Sequence, residues 1–336
     1  MSDPRSSASP VFNEEWLICS PEYEAAMNGR VFPYLASVHQ ELTVPAYDGA
    51  SLACAVFTAD HAAGTVLLVH GFTENYYKYS ELIFSLLHEG FSVLAYDQRG
   101  HGKSWRKAGL SDTGDTHVDH FSDYIADLET VCDQLLPDLP KPWMVFGHSM
   151  GGAVVSLFLE KHPEVFSRAV LSSPMIAPNL SGVPYPVAAG ICHTARFLGK
   201  GARRMFISKP YHGPEDFTTS CATDPVRFAW YDQVKVSHPE YQNSSPTYTW
   251  TLEAMRVTKR ILAEGAPESI QCPVILFSAD QDFSVLPEPQ KQFIARVKGG
   301  KRIFVPGSRH EIFRSANDVL FPWWHTVLTF LKEQSA

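Results

Sequence analysis

The segment WMVFGHSMGGAVVSLFLE, residues 143–160, constrains the fold more than any other part of the chain. A β-rich run passes directly into a helical run, with Ser149 at the joint and glycines at 147 and 151. A strand that turns straight into a helix crowds its corner residue into a strained backbone conformation. The two glycines remove Cβ atoms that would otherwise keep strand and helix apart. The pattern predicts a serine hydroxyl pushed up from the carboxyl end of a buried strand, where a base can reach it.

The rest of the sequence supplies a sheet for that strand. Residues 40–47 and 51–59 flank Asp48-Gly49, a turn pair between hydrophobic runs, and read as a hairpin. Residues 65–70, 91–97, 143–148, 168–172, 273–278 and 302–305 read as buried strands. Helical runs lie between most of them, at 74–88 and at 117–136, where Val118, Phe121, Ile125, Leu128, Cys132 and Leu135 recur on one face. This alternation predicts an α/β fold, a mostly parallel central sheet flanked by helices with ligands at the carboxyl ends of its strands. Residues 1–12 are expected to form a flexible N-terminal arm, and residues 13–176 and 271–336 the core. Residues 177–270 have no clear strand and many prolines and aromatics, and read as a cap inserted over the sheet's active edge or as a long helical connection.

A serine hydroxyl is a weak nucleophile at neutral pH and needs a histidine to take its proton and an acid to orient that histidine. On a strand–turn–helix serine site, the acid and then the histidine follow in the sequence. His310 and His325 are the two histidines after the penultimate predicted strand. His310 sits in the loop directly after the last strand and is the candidate base, whereas His325 lies in a helical run and reads as structural. The loop after residues 273–278 offers Asp280 and Asp282. Asp282 is favoured by its distance past the strand and by Val285 following it, while Ala279, where such loops usually carry glycine, keeps Asp280 open. A tetrahedral oxyanion needs two backbone N–H donors. The candidates are Met150, just after the serine, and Phe72, in the loop after the first central strand. His70 reads as a residue that ties this loop down.

The segments VLLVHGFTENYYKYSELIFSLLHEGFSVLAYDQRGHGKS, HVDHFSDYIADLE, GHSMGGAVVSLFLEKHP, SPTYTW and HEIF together resemble the bacterial lysophospholipases grouped with monoacylglycerol lipases in the α/β-hydrolase superfamily. The resemblance runs from about residue 43 to residue 332. It implies an α/β-hydrolase fold with a helical cap, and a serine ester hydrolase acting on single-chain acyl lipids. By position it assigns Ser149, Asp282 and His310 to the catalytic triad, with Phe72 and Met150 as oxyanion donors. The HG before Phe72 is closer to the monoacylglycerol lipases and residues 245–250 to the bacterial lysophospholipases, so lysophospholipid is the first expectation and monoacylglycerol the second. A carboxylesterase, thioesterase or peptidase would use the same residues, and a catalytically silent binding protein is the reading from another class.

Other features exclude more than they assign. Asp97 through Ser104 ends in GKS after a strand, but a phosphate-cradling loop needs glycine where Asp97 stands, so the run reads as a tight structural loop. No HExxH, paired-cysteine or GxGxxG pattern occurs, and neither a metal nor a cofactor is expected. With 36 acidic and 28 basic residues the chain carries a formal charge of −8, which argues against nucleic acid as a partner. Six scattered cysteines read as buried thiols of a reducing compartment. The apolar runs are far shorter than the ~20 residues that cross a bilayer, and the first residues are polar, so a cytoplasmic location is expected. Between Glu164 and Glu215 there is no acidic residue, where about five would be average. Arg196, Lys200, Arg203 and Arg204 lie in that interval among Val187, Ile191, Phe197 and Phe206, and read either as a solvated face or as a patch for peripheral contact with a membrane surface.

Overall fold

A computed structural model describes residues 16–333, and the arm expected over residues 1–12 lies outside them. Ten strands follow in chain order: β1 (His39–Pro45), β2 (Ser51–Phe57), β3 (Thr65–Val69), β4 (Ser92–Tyr96), β5 (Asp115–Thr116), β6 (Trp143–His148), β7 (Arg168–Ser172), β8 (Ser245–Pro246), β9 (Val274–Gln281) and β10 (Lys301–Arg309). Eight of them form one sheet in the order β1-β2-β4-β3-β6-β7-β9-β10. β1 and β2 pair antiparallel through the expected hairpin, with Gly49 at φ 83° in its turn, and β2 runs antiparallel to β4. Every other neighbour in this sheet is parallel.

Parallel strands need crossovers, and helices supply them. α1 (Tyr23–Ala26) and α2 (Phe32–Val38) precede the sheet. The crossovers and flanks are α3 (Ser80–His88), α4 (Ser122–Leu135), α5 (Met150–Lys161), α9 (Pro287–Arg296) and α10 (Asn317–Lys332). Along the central strands, alternate residues feed opposite cores. Leu67, Leu94, Val145 and Leu171 pack with Leu128, Phe158 and Phe293 from α4, α5 and α9. Val66, Val93, Met144 and Val170 pack with Ile83, Trp323 and Trp324 from α3 and α10. Burial on both faces explains why these strands read as continuous apolar runs.

Between β7 and β9 the chain forms α6 (Tyr185–Phe197), α7 (Pro225–Ser237) and α8 (Tyr248–Ile261). The reading of this stretch as strandless needs one correction, because β8 pairs in parallel with β5. Residue 246 of that bridge is a proline, whose poor strand character hid it. α6 rests on α8 through Ala188, Cys192, Met205, Leu252 and Met255. The helix expected from residue 74 begins later: Asn75 caps a 3-10 turn at Tyr76–Tyr79, and α3 follows. The one expected from residue 117 begins at Ser122, where the Asp123 carboxylate accepts the His120 amide.

The N-terminal helices went unread in the sequence. They are fastened through Arg227 of α7, which is fully buried. Its guanidinium donates to both Glu81 carboxylate oxygens at 2.9 Å, to the Ile18 carbonyl at 2.5 Å and to Asn317 Oδ1 at 2.8 Å. One side chain thereby ties the N-terminal segment, α3, α7 and the start of α10 together. Arg227→Met leaves the Glu81 carboxylate buried without its cation, and is expected to lower the unfolding free energy by about 3–5 kcal/mol. Urea denaturation checks this, and a loss below about 1 kcal/mol would mean the clamp is not structural.

Candidate active site

β6 ends at His148 and α5 starts at Met150, so Ser149 alone makes the turn, at φ 51° and ψ −118°. A side chain other than glycine rarely holds a positive φ, and here the surroundings impose it. The Ser149 N–H donates to the Ser172 carbonyl at 3.1 Å, and its carbonyl accepts the Met175 N–H at 2.8 Å. A Cβ on Gly151 would stand 2.2 Å from the Val69 carbonyl oxygen, so only glycine lets α5 begin this close to β3.

The Ser149 hydroxyl meets a histidine from the far end of the chain. Ser149 Oγ–H donates to His310 Nε2 at 2.7 Å, and His310 Nδ1–H donates to Asp282 Oδ2 at 2.8 Å. The other Asp282 oxygen accepts the amides of Ser284 and Val285 at 2.9 and 3.1 Å, which holds the carboxylate in place. Asp280 is elsewhere: it lies within β9, and its carboxylate accepts the Gly307 N–H at 3.1 Å, where the pairing of β10 with β9 shifts register. His325 sits on the exposed face of α10.

Burial by itself would lower the pKa of His310, but the Asp282 carboxylate, helped by Glu311, outweighs it and leaves the imidazole above its ordinary value. Burial likewise pushes the Asp282 carboxyl up, and the imidazole and the two amides bring it below the usual range. His148, whose ring centroid is 4.9 Å from that of His310, is held down to about 4 by burial and stays neutral beside it.

The loop after β3 is built on a second neutral histidine. The Gln98 N–H donates to His70 Nε2 at 2.9 Å, so the ring carries its proton on Nδ1, which donates to the Gly71 carbonyl at 2.7 Å. Burial holds His70 down to about 4. The Gly71–Phe72 peptide is planar and trans, so fixing its carbonyl toward His70 aims the Phe72 N–H the opposite way. Glu74 Oε2 takes the Gly71 N–H at 2.7 Å, leaving Phe72 as the next donor of the loop. Met150 opens α5, and its N–H has no carbonyl one turn earlier to donate to. Glu74 was not singled out in the sequence; its spacing of four from Lys78 was the available signal.

Ser149 and His310 open into a cavity of about 350 Å³ between the sheet edge and the α6–α8 stretch. Its lining is mainly apolar, with Met175, Leu180, Ile191, Met205, Trp250 and Val285. The two carboxylates on its wall are already matched: Glu74 and Glu311 both bond Lys78, and Glu311 also bonds Arg314. Phe206 and Ile207 also line the cavity, yet are 70 % and 67 % exposed, and Val187 and Phe197 of α6 are uncovered as well. The basic patch is smaller than expected. Arg204 turns inward to Asp115 at 2.5 Å and Asp112 at 3.5 Å, and Arg196 lies 4.0 Å from buried Glu253, so Lys200 and Arg203 remain on the surface. Among the described residues no helix is long and apolar enough to cross a membrane.

Residues 60–317 match the family described as serine aminopeptidase, S33. The chain is 29 % identical over 302 residues to lysophospholipase L2 of Escherichia coli K12, covering 83 % of this chain and 84 % of that protein. It is 30 % identical over 168 residues to the monoacylglycerol lipase of Mycolicibacterium smegmatis, covering 49 % of this chain and 56 % of that one. Its fold is similar to the crystal structure of Paleococcus ferrophilus monoacylglycerol lipase, with a TM-score of 0.65 at 23 % identity over 83 % of this chain and 96 % of that one.

The raised pKa of His310 carries a pH expectation. An imidazole can take the Ser149 proton only when neutral, so labelling of Ser149 by a fluorophosphonate is expected to fall on acidification with a midpoint above the ordinary imidazole value of 6.5. Asp282→Asn removes the largest contribution that favours the imidazolium, and should lower that midpoint and slow labelling about 10³-fold or more. A midpoint that stays put in the variant would detach Asp282 from the histidine.

Proposed function

The chain belongs to the α/β-hydrolase family described as serine aminopeptidase S33, and within it we propose a serine hydrolase that cleaves the acyl ester of single-chain lipids. One observation carries the reading: the Ser149 hydroxyl, 2.7 Å from His310 Nε2, faces a mostly apolar cavity whose carboxylates, among the described residues, are both paired. An aminopeptidase must hold the free α-ammonium of its substrate, and that takes an unpaired carboxylate near the serine. Glu74 and Glu311 are committed to Lys78 and Arg314, and among the described residues no other carboxylate lines the cavity. An acyl chain needs only apolar walls.

In this reading His310 takes the Ser149 proton as Oγ attacks the acyl carbonyl, while Asp282 holds and stabilises the imidazolium without accepting its proton. The Met150 and Phe72 amides receive the oxyanion. His310 then protonates the departing alcohol, and water enters by the reverse sequence to release the fatty acid and free the serine. Residues 177–270 act as the cap that closes the acyl site from above.

Lysophospholipid is the preferred substrate, because Lys200 and Arg203 are exposed on the cap for a phosphate or an anionic surface and because the lysophospholipase relative matches over most of the chain. Monoacylglycerol is the second reading, favoured by the absence of any lysine or arginine on the cavity wall among the described residues. Ser149→Ala should abolish turnover of both. Lysophosphatidylcholine and monoacylglycerol of equal chain length separate the readings, and faster turnover of the glyceride would move the assignment to the second. The exposed apolar and basic face of the cap meets the lipid surface. Reversing Lys200 and Arg203 to glutamate is expected to cut turnover on anionic vesicles at least about 10-fold while sparing a soluble short-chain ester. Equal losses on the two substrates would remove the membrane contact from the proposal.

A further inference from the structure

Behind the serine and histidine lies a group of buried charges that the reaction just described leaves unused. Lys78 Nζ bonds Glu74 Oε1 at 2.9 Å and Glu311 Oε1 at 2.6 Å, and Arg314 bonds the other Glu311 oxygen at 2.7 Å. The Lys78 side chain is 6 % exposed, and its ammonium lies 5.2 Å from the Tyr231 ring centre and 5.9 Å from that of Phe313. Two carboxylates and two cations therefore balance in a largely buried site.

Each carboxylate belongs to a different part of the reaction site. Glu74 accepts the Gly71 N–H and so holds the peptide just before the Phe72 amide. Glu311 directly follows His310. Among the described residues no backbone hydrogen bond joins these two loops; the Tyr79 ring stacks on Phe313 at 4.4 Å, and the Lys78 ammonium bridges the rest. Buried ion pairs contribute little to stability compared with apolar packing, so a four-charge cluster at this place points to geometry as its use.

We propose that Lys78 is a positioning residue: its ammonium, held between Glu74 and Glu311, sets the distance between the loop presenting the Phe72 amide and the loop presenting His310. The inference rests on the reading of Ser149 and His310 as the reacting pair. Misplacing an oxyanion donor relative to the base by about 1 Å is enough to slow a reaction about 100-fold without changing how substrate binds. Around His310 the titratable and charged groups are Asp282, Ser149, His148, Cys221, Glu74 and Glu311, with Lys78 and Arg314 behind the last two.

The test measures kcat and KM on a soluble activated ester for wild type, K78M, K78R and E311Q, with fluorophosphonate labelling counting folded sites. K78M is expected to lower kcat about 10- to 100-fold with KM within about threefold of wild type. K78R keeps the cation and should recover most of that loss. E311Q removes a carboxylate that favours the imidazolium while Lys78 and Arg314 remain, so the acid limb of kcat/KM should move to lower pH and kcat should fall. A folded K78M with wild-type kcat, or a K78R as slow as K78M, overturns the proposal. If K78M does not fold, E311Q decides: an unmoved acid limb with unchanged kcat overturns it, and a lowered limb with lowered kcat supports it. A wild-type protein with no Ser149-dependent turnover overturns the underlying reading, and the role of the bridge with it.

Discussion

The hydrogen bond from Ser149 to His310 joins residues 161 positions apart, and most of the architecture bears on its length. It needs β6, β7, β9 and β10 to lie side by side with their carboxyl ends at one rim, since Ser149 leaves β6, Asp282 follows β9 and His310 follows β10. Parallel pairing places those ends together only if each crossover is covered by a helix, which is why two apolar cores sandwich the sheet. A slip of one residue in any of these strands would turn its side chains to the opposite face and part this hydrogen bond.

Around that bond, charge is arranged by burial more than by attraction. His70 and His148 are buried deeply enough to stay neutral, and each spends its Nδ1 proton on a backbone carbonyl. His310 is equally enclosed but faces a carboxylate, and shifts the other way. Three histidines within one rim thus have separate duties, and only the one beside Asp282 is suited to gain and lose a proton near neutrality.

The sequence was most legible where the signal was local. The GHSMG corner, the Asp48-Gly49 hairpin and the strands of the sheet all depend on neighbours along the chain, and each stands in the structure within a few residues of its expected place. His310 could be placed because the last strand points to it. The choice between Asp280 and Asp282 could not be closed, since it turns on which carboxylate caps the shifted end of β10 and which faces the ring. Arg204 misled because its partner Asp115 lies 89 residues away. The Arg227 clamp and the Lys78 bridge were out of reach for the same reason: their partners come from widely separated segments, and no pattern along the chain announces them.

The position of Arg227 also divides the stretch between β7 and β9 into a tightly held part and a lightly held one. α7 is welded to the N-terminal segment, to α3 and to α10, and among the described residues it adds nothing to the wall of the cavity. α6 leans on a much smaller cluster, with Val187 and Phe197 facing outward. The firmly anchored part of this stretch thus stands away from the serine, whereas α6, which lines the cavity through Ala188 and Ile191, rests on a small apolar patch shared with α8.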